Sequence, residues 1–271
     1  MGDIFLMEMY DNIKDPSWPP VTTYNDFISL PDHIIHECKT IHCIERRISE
    51  IHNKDYWRSL TTNIFVHDNL AYVPIPKCAT SYYSDYFGNV LGWRETTVQN
   101  IDVENTYMFG LIMNPLTHFF KGITQCLWQA HIANCKKEDM EHIVSTYYTY
   151  IIGHMLVGDT HTLPYNVRFG DLLHKIHWIP MDQYSDIQIK KSLESFFTKT
   201  NNSIELDYTD LRMNESTEKK KKLLNIVESI VSSEEYRERL YRLYILRSSD
   251  LLFYNNLINT FNPNWSHIQF D

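Results

Sequence analysis

Two short stretches gather the residues best able to do chemistry. The first reads Val73-Pro-Ile-Pro-Lys77-Cys-Ala-Thr-Ser-Tyr82, a lysine and two small hydroxyl side chains between an apolar segment and a helical one. A strand-to-helix turn of this kind makes a concave donor site for an oxyanion such as phosphate or sulfate, because the first N–H groups of a helix have no intrahelical acceptor. The same residues also fit a surface lysine in a proline-bounded loop, with Thr80 as the helix cap. The second stretch reads Met113-Asn-Pro-Leu-Thr-His118-Phe-Phe-Lys121. Asn114-Pro115 is a good N-cap followed by proline at the first helical position. Leu116, Phe120, Ile123, Leu127 and Ala130 form the apolar stripe of the helix that follows, and His118, Lys121 and Gln125 fall on another face.

Both turns need strands to hold them. Asn63 to Val66 and Leu70 to Ile75 read as two strands around a His67-Asp68-Asn69 turn, and Tyr107 to Met113 is an apolar run suited to a strand buried on both faces. Tyr83, Phe87 and Val90 keep helical step after the first turn. Strands alternating with helices predict an α/β fold, a P-loop-like three-layer sandwich with a mostly parallel central sheet and a helical C-terminal part. Ligands of such sheets bind at the carboxyl ends of strands, where both turns lie. Elsewhere, Ser29 to Asp32 has capping-box form ahead of Ile34, Cys38, Ile41, Ile44, Ile48 and Ile51 in helical step. A tyrosine-rich helix is expected over about 138–158, a short strand or loop up to Pro180, and a helix from about Ser185 to Lys199. Lys219 to Lys222 precede a Leu223, Leu224, Val227, Ile230 stripe, and Ser232-Ser-Glu-Glu235 caps a further helix. With no repeat and no obvious linker, one domain over 1–271 is expected, with an irregular segment plus helix over 1–60 and the core over 61–258.

Composition narrows the function. The 271 residues carry 25 Lys+Arg against 34 Asp+Glu, a formal net charge of −9, which argues against a duplex nucleic-acid partner. Eight glycines and neither G-x-G-x-x-G nor G-x-x-x-x-G-K-[ST] leave no room for a glycine-cradled nucleotide fingerprint. Five cysteines without a C-x-x-C pair suggest neither a disulfide framework nor a thiolate zinc site. His33, His36, Cys38, His42 and Cys43 lie close in sequence, but helical spacing spreads them around the axis, so no metal is expected. An N-terminus with Asp3 and Glu8 and no basic residue is the wrong charge for a leader, and the longest apolar stretch, Tyr147 to Val157, is far short of the roughly 18 residues of a membrane span. The expectation is a cytoplasmic protein with no membrane partner.

The Pro-Lys77-Cys-Ala79-Thr-Ser81 turn resembles the 5′-phosphosulfate loop of the sulfotransferase superfamily, above all the Golgi carbohydrate type. Met113-Asn-Pro through His118 to Lys121-Gly122 is similar to its 3′-phosphate motif, which ends a strand with Arg-x-Pro and places a second Arg and a Ser on the helix. His177-Trp-Ile-Pro180 is similar to its His-Trp-x-Pro segment, and Leu211-Arg-Met-Asn214-Glu-Ser216 to its Asn-x-Ser/Thr element. Ser233-Glu-Glu-Tyr236 through Tyr241, then Asp250-Leu-Leu-Phe253, resembles its closing tyrosine-rich helix. The five motifs stand in family order over roughly 62–258.

This resemblance implies 3′-phosphoadenylyl sulfate as donor and a hydroxyl of a carbohydrate or small metabolite as acceptor, with no metal. It gives Lys77 the role of stabilising charge on the leaving phosphate oxygen, and the N–H groups of Ala79, Thr80, Ser81 and Tyr82 that of holding the 5′-phosphate, with Cys78 in the same binding loop. Asn114 and Lys121 fall in the segment that holds the 3′-phosphate. The polar positions of that segment have changed: Met113 and His118 stand for the two arginines and Lys121 for the serine. Methionine cannot donate to phosphate, and Lys121 is expected to restore the charge without arginine's bidentate geometry. His67, His118, His174 and His177 flank the motifs; His118 is nearest the expected pocket and is the candidate catalytic base. The alternative is a non-catalytic protein of this fold that binds a partner protein or another anionic ligand.

Overall fold

The computed structural model describes residues 63–129, 133, 136–154, 161–202, 204, 206, 218–236, 240, 243, 244 and 247–266. The Ser29 capping box with its isoleucine stripe, the His33 to Cys43 cluster and the Asn214 element lie outside these residues. The described chain divides into two compact units. One draws on Ile51–Asn114, Tyr165–Glu215 and Phe253–Asp271, the other on Pro115–Pro164 and Ser216–Leu252.

The first unit is mixed α/β around a five-stranded sheet. Its strands are β1 (Asn63–His67), β2 (Leu70–Tyr72), β3 (Arg94–Thr97), β4 (Tyr107–Ile112) and β5 (His177–Pro180), in the order β3-β1-β2-β4-β5. The expectation of a mostly parallel sheet is corrected: β1 pairs antiparallel with both β2 and β3, while β2 with β4 and β4 with β5 are parallel. The reason is local. Asp68 takes φ 50, the left-handed conformation required in a two-residue hairpin loop, and so folds β2 back on β1 with Phe65 opposite Tyr72. The parallel half carries the site. Its ladder runs past the strand ends through Val73 N–H to Phe109 O at 2.8 Å and Met181 N–H to Ile112 O at 2.8 Å. The segments after β2, β4 and β5 therefore leave the sheet at one edge.

Aromatic rings fill this unit's core. Phe87 lies 4.8 Å from Tyr72 and 4.6 Å from Trp93, and Phe196 lies 5.3 Å from Phe109 and 5.2 Å from Trp265. Such offset and edge-to-face pairs each add about 0.5–1.5 kcal/mol to the burial of their area. Gly110 lets the layers close: a Cβ there would stand 2.6 Å from Val73 O and 2.6 Å from Trp178 Cζ3. Helix α1 (Thr80–Asp85) continues into a π turn over Tyr86–Val90, closed by Leu91 N–H on Tyr86 O at 2.9 Å. Helices α4 (Tyr165–Phe169) and α5 (Asp186–Lys199) complete the unit, with the Ser185 capping box opening α5 where expected.

The second unit is helical. Helix α2 (Pro115–Gln129) starts at the proline as its sequence requires, and its Phe119, Ile123 and Leu127 pack with Met140, Val144 and Tyr148 of α3 (Lys137–His154). Leu223, Ile226, Val227 and Val231 of α6 (Glu218–Val231) join the same core. The lysine run thus forms the first turn of α6, where Lys220 Nζ donates to Gln125 Oε1 at 2.6 Å. Near the start of α7 (Ser248–Thr260), buried Arg247 donates to Thr162 O, stands 4.0 Å from Asp250 and lies 5.0 Å over the Phe119 ring. Among the described residues, no helix is long and apolar enough to cross a membrane.

Candidate anion site at the carboxyl edge of the sheet

The chain leaves β2 through Val73-Pro-Ile-Pro and turns sharply. Lys77 takes φ 72 and Ala79 φ 54, while Cys78 between them is not left-handed. Each left-handed non-glycine residue costs about 1–2 kcal/mol, and two bracketing one residue persist only where the surroundings dictate them. Alternation of hand along the backbone is also the pattern from which anion-binding nests are built. Two contacts fix the turn: Cys78 N–H donates to Ile75 O at 3.0 Å, and the Thr80 hydroxyl donates to the same carbonyl. The first helical bond runs from Tyr83 N–H to Ala79 O at 3.1 Å, so the amides of Thr80, Ser81 and Tyr82 come ahead of the ladder. Lys77 and Thr80 are half-buried, Ser81 is exposed and Cys78 is fully buried. Of the loop residues assigned to phosphate, Cys78 thus has its N–H and its side chain turned to the protein, and Thr80 offers oxygen lone pairs with its proton already engaged.

The end of β4 lies next in the sheet, and it differs from an arginine-bearing phosphate site. Met113 is 1% exposed, and its carbonyl accepts from the Tyr165 hydroxyl at 3.0 Å. Asn114 N–H donates to Asp182 Oδ2 at 2.9 Å, and the other oxygen of this carboxylate accepts from the Tyr254 hydroxyl. Asp182 itself faces solvent. Burial, with help from the Asp182 contact, holds the Tyr254 phenol well above its ordinary range, and Cys78 adds to the rise. The Tyr72 phenol is pushed up by complete burial, then by Tyr83 and Cys78, and its oxygen has no hydrogen-bond partner among the described residues. Cys78 thus lies within electrostatic reach of both phenols. Tyr82, in the first turn of α1, is pushed up to about 12 by burial, then by Tyr86, Asp186 and Asp85.

Lys77, Cys78, Ala79, Thr80, Ser81, Tyr82 and Asn114 therefore belong to one unit and to one edge of its sheet. His118 and Lys121 belong to the helical unit. There His118 is 1% exposed, which corrects its placement on a polar helix face, and Lys121 is half-buried. The other histidines flanking the motifs pack against rings: His67 on Trp93 at 5.7 Å, His174 on Phe253 at 5.3 Å and His177 on Phe196 at 5.2 Å. Sequence reasoning missed Asp182 and Tyr254. No local signal marks the first, because only the β4–β5 register, which aligns Ile112 with Pro180, brings Asp182 level with Asn114. Among the described residues, no group of three or more His, Cys, Asp or Glu side chains is arranged to hold a metal ion. Comparison with protein-family models, curated proteins and solved structures finds no match to this chain.

Proposed function

We propose that this chain is a sulfotransferase-like cytoplasmic enzyme with a P-loop-like core, and that it passes a sulfuryl group from a phosphosulfate donor to a hydroxyl of a carbohydrate or small metabolite. The donor in the family it resembles is 3′-phosphoadenylyl sulfate. One observation carries the reading: a strained strand-to-helix turn bearing Lys77 leaves the carboxyl end of a parallel strand, directly beside the end of β4. The 5′ end of such a donor would sit in this turn. The Lys77 ammonium would meet the leaving phosphate oxygen, and the Thr80, Ser81 and Tyr82 amides would orient the phosphate. The bound donor supplies the sulfuryl group; the chain's part is to place and neutralise the phosphate from which it departs.

A test is transfer of radiosulfur from the labelled donor to a panel of polyhydroxy acceptors. Loss of Lys77 should lower the rate by about 100-fold or more, the scale of removing one charge-stabilising contact. Equal rates for the wild type and Lys77→Ala would remove the reading. Met113 favours a second one, a protein of the same fold that binds a different anionic ligand without transfer. Its side chain is packed into the core, where the family pattern has the arginine that grips the 3′-phosphate. That reading predicts binding at the Lys77 turn with no labelled product.

A further inference from the structure

With the Lys77 turn read as the site of the donor's 5′-phosphate, the resemblance sets the 3′-phosphate at the end of β4. Two observations oppose a second phosphate there. The Met113 side chain offers no donor and is 1% exposed. The next amide, Asn114 N–H, already serves the carboxylate of Asp182, which Tyr254 holds from the other side. The end of β4 is thus supplied with its own fixed negative charge, anchored at both oxygens. A phosphate approaching it would meet a like charge in place of an arginine, and specificity built this way excludes the bisphosphate as well as admitting its smaller relative.

We infer that the ligand of the carboxyl edge is a nucleoside 5′-phosphate or 5′-phosphosulfate without a 3′-phosphate, and that Asp182 is the residue that sets this preference. The inference rests on the reading of the Lys77 turn as a nucleotide phosphate site. Asp182 is a specificity residue with no part in the transfer itself.

Calorimetric titration with adenosine 5′-phosphate and adenosine 3′,5′-bisphosphate tests it. The wild type should bind the monophosphate at least as tightly as the bisphosphate. Asp182→Asn should strengthen the bisphosphate relative to the monophosphate by up to about fivefold, as expected for loss of one solvent-exposed like-charge contact. Tyr254→Phe keeps the carboxylate and should keep the preference, which covers the case in which Asp182→Asn does not fold. A wild type that binds the bisphosphate tenfold more tightly would overturn the inference and leave the nucleotide site standing. So would a preference that Tyr254→Phe reverses, since clamp geometry and not charge would then set it. Binding of neither nucleotide would overturn the nucleotide site and the inference with it.

Discussion

Substituting Gly110 by alanine tests how the carboxyl edge is held together. Gly110 sits in β4 between β2 and β5, and the added methyl would stand 2.6 Å from Val73 O, 2.6 Å from Trp178 Cζ3 and 3.1 Å from Trp178 Cε3. Neither neighbour can give way cheaply. The Val73 amide is bonded to Phe109 O at 2.8 Å, and Trp178 is 2% exposed with its indole N–H on Leu173 O at 2.8 Å. Overpacking of a rigid core costs about 1–3 kcal/mol, and contact with backbone on one side and a locked ring on the other puts this case near ~3 kcal/mol. The unfolding midpoint should then fall by at least about 6 °C, and tryptophan fluorescence follows it directly. Gly92→Ala is the control. A Cβ there meets nothing within 4 Å, so the cost is limited to the left-handed penalty at φ +69, about 1–2 kcal/mol. A Gly110→Ala midpoint within about 1 °C of wild type would refute the close packing of β2, β4 and β5 on which the site's geometry depends.

Three further outcomes follow from particular contacts. Arg247→Met removes the guanidinium facing the fully buried Asp250 carboxylate and its bond to Thr162 O; the expected loss is about 3–5 kcal/mol, read by urea unfolding, and a loss under about 1 kcal/mol would contradict the buried pair. Gly122→Ala places a Cβ 2.3 Å from His161 O and should destabilise the helical unit by about 3 kcal/mol or more; wild-type stability would show that the 161–162 segment does not run against α2. The raised phenols give a pH dependence. The folded protein binds these protons more tightly than the unfolded chain, so their contribution is intact below the ordinary value of 10.0 and is lost as pH rises through about 12 for Tyr82 and through the raised values of Tyr72 and Tyr254. Tyrosinate absorbance at about pH 11 should therefore be lower in the native protein than in urea. Identical titration of all 18 tyrosines in both states would contradict it.

Much of the sheet was legible because its signals are local. The β1–β2 hairpin follows from two apolar runs around Asp68-Asn69, and the apolar run into Asn114-Pro115 marks both β4 and the helix behind it. The left-handed Lys77 and Ala79 were not legible, since neither residue type favours that conformation and the surrounding structure imposes it. Strand β3 escaped for a different reason. Arg94-Glu-Thr-Thr97 has no buried face to give period-two alternation and is recruited by backbone pairing with β1 alone. The capping of Asn114 by Asp182 spans 68 residues and needs the β4–β5 register before it can be seen. His118 was misplaced because a single apolar stripe was assumed for α2, whereas burial there extends beyond one face.

The most direct test of the anion site is thermal unfolding with and without excess adenosine 5′-phosphate, for the wild type and for Lys77→Ala. At about 100 times its dissociation constant, a ligand that binds only the folded protein adds about 2.7 kcal/mol, or a rise of roughly 5 °C or more. The account predicts that rise in the wild type and its loss in Lys77→Ala; an unchanged wild-type midpoint at millimolar nucleotide, or an equal rise in the variant, would contradict it.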